Sequence, residues 1–427
     1  MRMAVFTDEY PARNATGFER DMRALLAAGF DLDIFAARPL DPDRWVDSTG
    51  LFDAGRGGRV LVHHLRPREF LHWAPALIFH RPGRCLADTG TILPGVATSG
   101  PVSLARTATA LPRAWVWAAQ QADWYGHVLA YWGVHAGSCA YAFHRLQSRL
   151  TPFTLWLHDG VDLCRRPGLL RRALRYADNV ITCSEFNREN LLRRFADLAF
   201  RLGRKLHVLG HGLDLAELPY DPEWRPDARI LAVGRLAAGM GHEGLVRATQ
   251  LLSARGGEVT LQIVGDGPEL GRLRGLAADL GIAGRTHFRG RLSAEETRRA
   301  IAVATVLVDP SDVPEHGLPD VVPEAMALGT PVVACRVAGM PYALEDGCGV
   351  LVPPGDPEAL TRAIGSLLSD PPARREMVGR ARRRVEERFD DRRSAALLVR
   401  LLRDTRRRTA RVPAALAGAG TAREVSA

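Results

Sequence analysis

Short apolar runs alternate with amphipathic stretches through the first half of the chain. Apolar runs at residues 3–7 and 32–36 predict two strands, and the helical pattern at about residues 17–28 between them predicts a βαβ opening. Further strands are predicted at residues 153–157, 180–183 and 206–209, and further helices at residues 138–147, 169–177 and 186–195. This alternation predicts a parallel, doubly wound sheet.

Two segments interrupt the pattern. Residues 60–124 are irregular and rich in Trp, Pro and Leu, which predicts an insertion of helices and loops with an apolar stretch at 70–79 and a helix at 104–121. Residues 215–228, LAELPYDPEWRPDA, hold three prolines and several charges. Such a segment is neither helix nor central strand, so we expect it to be a domain linker.

Strands and helices alternate again after the linker. Strands are predicted at residues 229–233, 260–264, 286–288, 305–308, 331–335 and 349–352, and helices at 241–252, 267–280, 294–303, 323–328, 356–368, 372–388 and 392–403. We therefore expect an N-terminal domain at 1–214, a C-terminal domain at 229–385, a helix at 386–408 that crosses back to the first domain, and a disordered tail at 409–427.

Composition narrows the class of protein. The length of 427 residues suits two domains, and 46% hydrophobic and 25% charged residues are ordinary for a globular chain. The net charge of +9 rests on scattered arginines without interleaved aromatics, so we expect a phosphorylated small substrate and no nucleic acid. Six widely spaced cysteines without a CxxC pair, no leader pattern and no apolar run of about 18 residues predict a cytoplasmic protein.

The strongest motif is PEHGLPDVVPEAMALGTPVVA at residues 314–334. Gly317, Leu318 and Pro319 predict a tight loop that brings backbone N–H groups close to a ligand, and the helix that starts at Asp320 offers its dipole to phosphate. Glu324 lies one turn into that helix, where its carboxylate can accept hydrogen bonds from two vicinal hydroxyls, such as those of a ribose. The alternative is that Gly317 only forms a turn and Glu324 only complements the helix dipole.

Two further glycine motifs follow predicted strands. In AVGRLAAGMG, residues 232–241, Gly234 and Arg235 come at the carboxyl end of a strand, where an arginine can bind a diphosphate through two hydrogen bonds. A surface arginine is the alternative. The segment IVGDGPEL, residues 263–270, resembles the dinucleotide-binding fingerprint but lacks its last glycine and the downstream acidic residue that binds the ribose. We therefore expect a tight turn near a nucleotide and no nicotinamide site.

Candidates in the first half lie after strands or at a helix start. His158 and Asp159 follow a predicted buried strand, at the edge where open α/β sheets bind ligands, although a lone histidine is more often structural. Thr16 and Gly17 open the first helix, and they are candidates to contact the same diphosphate as Arg235. The alternative is that Gly17 only permits the turn. Tyr10, in the preceding loop, and Asp159 are candidates for the acceptor side.

With these residues in hand, the chain resembles the retaining glycosyltransferases of family four. AVGRL, IVGDGPEL, HFRGRLSAEE, GLPDVVPEAMALGTPVVA and GVLVPPGDPEAL are similar to that family's donor-domain motifs in order and spacing. The N-terminal half matches more loosely, through LHDGVDL, ADNVITCSEFNRENL and HVLGHGLDL, and is similar to members that build exopolysaccharides. The resemblance implies an α/β fold of the GT-B type, with two Rossmann-like doubly wound domains that face each other across a cleft.

The resemblance also implies roles for matching residues. Catalytic roles fall on His158 beside the anomeric carbon, Arg235 on the diphosphate and His316 near the sugar. Donor contacts fall on Thr16, Gly17, Gly234, Arg235, Arg291, Leu292, Glu315, Gly317, Leu318, Pro319, Asp320 and Glu324. Of these, Glu324 would bind the ribose, and Arg291 and Leu292 would frame the base.

Two positions depart from the family pattern. In the family, two glutamates are separated by seven residues (Glu-x7-Glu). The position that would pair with Glu324 in this spacing is His316, and the nearest glutamate, Glu315, is displaced by one residue. The lysine that follows the family's arginine by five residues is Met240. A cation beside a leaving diphosphate stabilises the transition state, so its loss requires compensation or weakens the enzyme.

The resemblance implies transfer of a sugar from a UDP- or GDP-sugar to a small-molecule or glycan acceptor, with retention of configuration. No DxD-like pair follows a strand, so neither a metal nor a cofactor is expected, and the protein would be a monomer or homodimer. A catalytically degenerate member that only binds the sugar nucleotide is the alternative. Residues 68–84, REFLHWAPALIFHRPGR, could bind a membrane surface, but packing within the domain is favoured.

Overall fold

The computed structural model describes residues 1–8, 10, 16–37, 58–64, 83, 86–87, 89–90, 92, 94, 101–120, 125–131, 134–147, 151–157, 170–210, 212–223, 228–313 and 317–410. The strands are β1 Arg2–Thr7, β2 Asp31–Ala36, β3 Val60–His63, β4 His127–Tyr131, β5 Phe153–Leu157, β6 Asn179–Thr182, β7 Leu206–Val208, β8 Arg229–Val233, β9 Thr260–Val264, β10 Thr286–Gly290, β11 Val306–Asp309, β12 Val332–Cys335 and β13 Val350–Val352.

Helices connect most of these strands. They are α1 Thr16–Ala27, α2 Pro101–Gln120, α3 Val134–Leu146, α4 Leu170–Tyr176, α5 Glu185–Arg194, α6 Ala199–Gly203, α7 His242–Ala254, α8 Leu270–Asp279, α9 Ala294–Val303, α10 Val321–Leu328, α11 Met340–Leu344, α12 Pro357–Ser369, α13 Pro371–Arg388 and α14 Asp391–Ala410. Short 3₁₀ turns lie at Ala196–Leu198 and Ala283–Arg285.

The first sheet has the strand order β3-β2-β1-β4-β5-β6-β7, and its described pairs are parallel. Val5 on β1 pairs with Ile34 on one side and Leu129 on the other, and all three side chains are buried. A strand covered on both faces is largely apolar, which is why β1, β2 and β5 were predictable as short buried runs, although β2 also contains the buried Asp33.

The predictions for residues 60–131 were incomplete. The stretch expected to hold only helices and loops begins with β3, a half-buried edge strand of four residues that is too short to show a periodic pattern. The central strand β4 was also missed, because it begins with the polar His127, which is fully buried. The predicted helix at 104–121 is confirmed as α2, which starts at Pro101.

The second sheet has the strand order β10-β9-β8-β11-β12-β13, again with parallel pairs. Every strand and every helix predicted after the linker is present, with bounds that shift by a few residues except in α14, which continues to Ala410. The short helix α11 was not predicted, since five residues are too few to show a helical period. In this order the strands leave β8 in both directions, so β8 and β11 lie next to the point where the winding reverses.

The chain forms two compact units. Within the described residues, the first comprises Met1–Cys183, Arg188–His211 and Ser394–Ala427, and the second Ser184–Asn187 and Gly212–Arg393. Leu398 and Leu402 of α14 are fully buried in the core of the first unit. In the second unit, the Leu213 N–H donates to the Phe389 carbonyl over 2.6 Å and Leu218 is buried.

Candidate functional site

The loops that follow β8, β9, β11 and β12 are hydrogen-bonded to one another at one edge of the second sheet. We call residues 234–241, 265–269, 310–313, 317–320 and 336–339 the carboxyl-end loops. The backbone N–H of Leu236 donates to Asp266 over 3.1 Å, Asp312 to Gly239 over 3.0 Å and Gly339 to Gly317 over 3.3 Å. Backbone groups therefore fix this edge, which is where open α/β sheets bind ligands.

Two glycines allow these loops to approach closely. At Gly265 (φ +143°) an added Cβ would lie 1.8 Å from the carbonyl oxygen of Gly234. At Gly241 (φ +67°) an added Cβ would lie 1.6 Å from the carbonyl oxygen of Pro310. Both positions require glycine for the backbone angle and for the space, so the path of the loop that holds Arg235 depends on them.

Arg235 lies two residues beyond β8 with an exposed side chain, and its guanidinium makes no ion pair with any residue that the structure describes. His242, at the start of α7, is 5% exposed and lies behind the same turn. Burial lowers the pKa of His242, although contact with the Arg235 backbone opposes the shift. We call the turn at Gly234 and Arg235 the arginine turn. The methyl carbon of Met240 would lie 4.0 Å from a Cβ on Gly234, so an apolar group lies beside this turn.

The loop before α10 continues this edge. Gly317 is buried with φ +64°, and Leu318 and Pro319 are partly buried. Asp320 occupies the position before α10 without a side-chain capping bond, and its side chain is exposed. No side-chain cap occupies the amino end of α10, where the Val322 N–H donates to the Pro319 carbonyl over 3.0 Å and Pro323 has no N–H. This end therefore offers an anion the Val321 N–H and the helix dipole.

Glu324, in the first turn of α10, belongs to an ion-pair cluster. Its side chain is 13% exposed, and its Oε1 accepts from Nε of Arg298 over 3.3 Å. The Nη1 of Arg298 donates to Oε2 of Glu217 over 3.2 Å. The predicted ribose carboxylate is thus oriented by an arginine of α9.

Arg291 and Leu292 follow β10, which pairs with β9, so they lie along the same edge of the sheet. Arg291 is exposed, and Leu292 is partly buried against the core of the second unit. Seven predicted donor residues (Gly234, Arg235, Gly317, Leu318, Pro319, Asp320 and Glu324) belong to the loops and helix just described, and Arg291 and Leu292 extend the set.

The family described as glycosyl transferases group 1 matches residues 227–370. The alpha-D-kanosaminyltransferase of Streptomyces kanamyceticus is 30% identical over 277 residues, which cover 58% of this chain and 71% of that relative. The chain belongs to the group 1 glycosyltransferases. The predicted family is therefore confirmed.

This group 1 glycosyltransferase is also 35% identical over 218 residues to the GDP-mannose-dependent alpha-(1-6)-phosphatidylinositol monomannoside mannosyltransferase of Mycolicibacterium smegmatis. That match covers 47% of the chain and 56% of the relative, so the chain spans little more than half of that protein's length.

Solved structures share the fold. Sucrose-phosphate synthase from Thermosynechococcus elongatus aligns with a TM-score of 0.71 at 22% identity and covers 95% of this chain and 98% of its own. HepE from Anabaena, in complex with UDP and glucose, aligns with a TM-score of 0.69 at 17% identity, over 95% of this chain and 100% of its own. The predicted fold class, an α/β protein of the GT-B type with two Rossmann-like doubly wound domains, is confirmed.

Some predicted residues of the glycosyltransferase lie outside the described residues. These are His158, Asp159, Glu315 and His316, together with most of the segment 68–84. Thr16 and Gly17 begin α1, which follows β1. Tyr10 is 2% exposed and packs on Phe18 in the core of the first unit, where burial and the charge of Glu19 raise the pKa of its phenol.

No group of three or more His, Cys, Asp and Glu side chains in the described ranges is placed to hold a metal ion. Among the helices described, none is long and apolar enough to cross a bilayer.

Sequence reasoning missed Arg298 and His242. Arg298 was detectable in principle, because it precedes Ile301 by three residues on α9 and so shares its inward face. His242 directly follows the last glycine of AVGRLAAGMG, but no local pattern separates a histidine behind a loop from one on the surface.

Proposed function

We propose that this chain transfers a sugar from a nucleoside-diphosphate sugar to an acceptor, and that the carboxyl-end loops of the second unit bind the donor. The supporting observation is the hydrogen-bonded set of glycine loops that carries both the exposed Arg235 and the amino end of α10. Backbone N–H groups, a helix dipole and an arginine are the donors that bind phosphate in proteins. The resemblance to the family-four glycosyltransferases implies a donor of this kind.

In this proposal the leaving diphosphate is stabilised without a metal. Arg235 supplies the full positive charge, and the amino end of α10 supplies partial charge and a backbone donor. Arg291 and Leu292 frame the base, and Glu324 accepts hydrogen bonds from the ribose hydroxyls. Retention of anomeric configuration is proposed from the family resemblance.

A UDP- or GDP-sugar is the proposed donor. The M. smegmatis relative is named as GDP-mannose-dependent, and a solved HepE structure contains UDP-glucose. The acceptor is a small molecule or a glycan, bound on the side of the first unit where His158 and Asp159 are the candidates. Tyr10, which was predicted with them, is buried in the core of that unit and is not proposed to contact the acceptor.

A second candidate function is binding of the sugar nucleotide without transfer. The observation that favours it is Met240, whose methyl group lies beside the arginine turn where the family has a cation. Loss of a single cationic group near a leaving phosphate weakens catalysis but does not abolish binding.

Nucleotide release by the purified full chain tests both functions. UDP- and GDP-sugars are incubated with candidate acceptors, and acceptor-dependent release of nucleoside diphosphate is measured with and without EDTA. We expect release that EDTA does not change, a product with the donor's anomeric configuration by NMR, and a loss of about 100-fold in kcat/KM for Arg235→Gln.

The control is Arg255→Gln, because Arg255 is an exposed residue at the far end of α7. Donor binding without release in any acceptor reaction would favour the second function. Equal activities of the Arg235 and Arg255 variants would refute the assignment of the diphosphate site.

A further inference from the structure

We propose that the imidazole of His242 takes up a proton from solvent when a nucleoside diphosphate binds at the arginine turn, and that this charge replaces the family's cation at the position of Met240. The inference rests on the proposed function, since it concerns how the diphosphate is stabilised. It adds a residue that the predicted donor contacts do not include. No covalent bond of the ligand is made or broken in this step.

His242 and Met240 lie on the same side of the arginine turn. A Cβ added to Gly234 would lie 3.9 Å from Nε2 of His242 and 4.0 Å from the methyl carbon of Met240. The thioether of Met240 has no charge at any pH, whereas an imidazole gains a positive charge when it binds a proton. A titratable group therefore lies beside the position where the family has a permanent cation.

The backbone before His242 fixes the position of its ring. Gly241 has φ +67° and lies against the Pro310 carbonyl oxygen, which would be 1.6 Å from an added Cβ. His242 is the first residue of α7, and its side chain is 5% exposed. The imidazole is thus held behind the turn before any ligand binds.

The unliganded protein favours the neutral imidazole. Burial lowers the pKa of His242, and its place at the positive end of the α7 dipole acts in the same direction. Contact with the Arg235 backbone favours the protonated form, but neither ring nitrogen reaches hydrogen-bond geometry with a group in the described part of the chain. The lone pair of the neutral ring is therefore accessible to a proton.

A cavity of about 290 Å³ beside His242 brings together charged side chains from α7, α8 and the loops after β11 and β13. Its charged lining residues are the carboxylates Glu243, Glu269, Asp312 and Asp356 and the cations Arg247 and Arg272. Cys335, at the end of β12, also lines the cavity and stays a neutral thiol, because burial raises its pKa to about 12.

The carboxylates of this cavity outnumber its arginines. Glu243 pairs with both Arg247 and Arg272, and Glu269 pairs with Arg272. Asp312 and Asp356 accept hydrogen bonds from backbone N–H groups, over 3.0 Å and 2.8 Å. The surroundings of His242 on this side therefore reduce the electrostatic cost of a charge on its ring.

A bound diphosphate shifts the balance to the protonated ring. It carries more than one negative charge, whereas Arg235 supplies a single positive charge, so an excess negative charge lies near His242. A nearby anion raises the pKa of an imidazole. Between the pKa of the unliganded protein and that of the complex, nucleotide binding takes up a proton and becomes tighter as the pH falls.

Calorimetric titration of the full chain with UDP and with GDP, in buffers of different ionisation enthalpy at about pH 7, measures this proton uptake. We expect wild type to take up about half a proton more per nucleotide than His242→Gln. Its Kd should also rise about threefold more than that of the variant between about pH 6.5 and about pH 7.5. Ionisation of the nucleotide itself contributes equally to both proteins and cancels in the comparison.

Met240→Lys tests the idea independently if His242→Gln fails to fold. A lysine neutralises the diphosphate and repels an imidazolium, so the proton uptake of Met240→Lys should fall toward that of His242→Gln. The matched control is His287→Gln, because His287 is an exposed histidine of the same unit. This control should keep the wild-type proton uptake.

A purely structural role for His242 would weaken nucleotide binding by the same factor at every pH and leave the proton uptake unchanged. Wild-type proton uptake in either folded variant, His242→Gln or Met240→Lys, would therefore overturn the inference and leave the proposed function intact. If neither UDP nor GDP binds to wild type, the proposed function is overturned as well.

Discussion

Single glycine residues determine where the arginine turn lies. Gly265 combines φ +143° with the carbonyl oxygen of Gly234 at 1.8 Å from an added Cβ, whereas Gly281 has φ +70° and open space around the same position. Alanine would therefore strain the backbone at both positions, but only at Gly265 would its Cβ also collide with a neighbouring loop. Comparing alanine variants at the two positions distinguishes the cost of backbone strain from the effect of moving the arginine turn.

We predict that Gly265→Ala lowers the free energy of unfolding by at least about 2 kcal/mol and greatly weakens nucleotide binding, because the turn holding Arg235 must move. Gly281→Ala should cost about 1 kcal/mol and leave nucleotide binding unchanged. Urea unfolding and calorimetry measure the two effects. Equal nucleotide affinities in the two variants would show that the Gly265 contact does not position Arg235.

The sequence predicted the places of Gly234, Arg235, Gly317 and Glu324, because each follows a strand or opens a helix and the end of a parallel strand is a defined location. It did not predict the contact between Arg298 and Glu324. These residues lie on helices separated by β11, and their contact depends on helix packing that spacing along the chain does not encode.

Individual elements differ in how much of their stability comes from packing. The last helix, α14, has one apolar stripe, and its neighbouring leucines point in opposite directions: Leu398 is fully buried and Leu397 is 56% exposed. Leu398 packs in the same core as Met3 and Met22, near the start of the chain. Docking of α14 is thus expected to stabilise the first unit.

We predict that Leu398→Ala lowers the free energy of unfolding of the first unit by about 2–5 kcal/mol through a buried cavity. Leu397→Ala should change it by less than about 0.5 kcal/mol. Tryptophan fluorescence in urea is a suitable measurement, because all of the eight tryptophans except Trp224 precede the second unit. A similar small effect of both variants would mean that α14 docking adds little to this unit.

At the level of elements, the sequence predicted most strands and the longer helices from periodicity alone. It failed for β4, where a buried histidine replaces an apolar residue, and for β3 and α11, which are too short for a period to appear. The failures share one cause: tertiary contacts decide the state of segments whose own pattern is weak.

In the molecule as a whole, both units contain histidines whose pKa is lowered by burial, so that folding disfavours their protonated form. His127 in the first unit is completely buried, its Nε2 lies 2.8 Å from the Thr154 hydroxyl, and burial lowers its pKa from 6.5 to about 3. Burial also lowers the pKa of His144 and His207 in the same unit. Below about pH 6.5 the unfolded chain binds protons that the folded chain does not.

The first unit should therefore be most stable above about pH 6.5 and lose stability as the pH falls toward 3, with each such histidine contributing at most about 1.4 kcal/mol per pH unit. Replacement of His127 by Gln removes one of these protons, so the slope of stability against pH should flatten by that amount even if the variant is less stable at pH 7. Urea unfolding followed by tryptophan fluorescence between about pH 7.5 and about pH 4.5 measures the slope. His287→Gln removes an exposed histidine from the second unit and controls for the loss of an imidazole. A slope that is the same in wild type and His127→Gln would show that burial of His127 does not couple folding of this unit to protons.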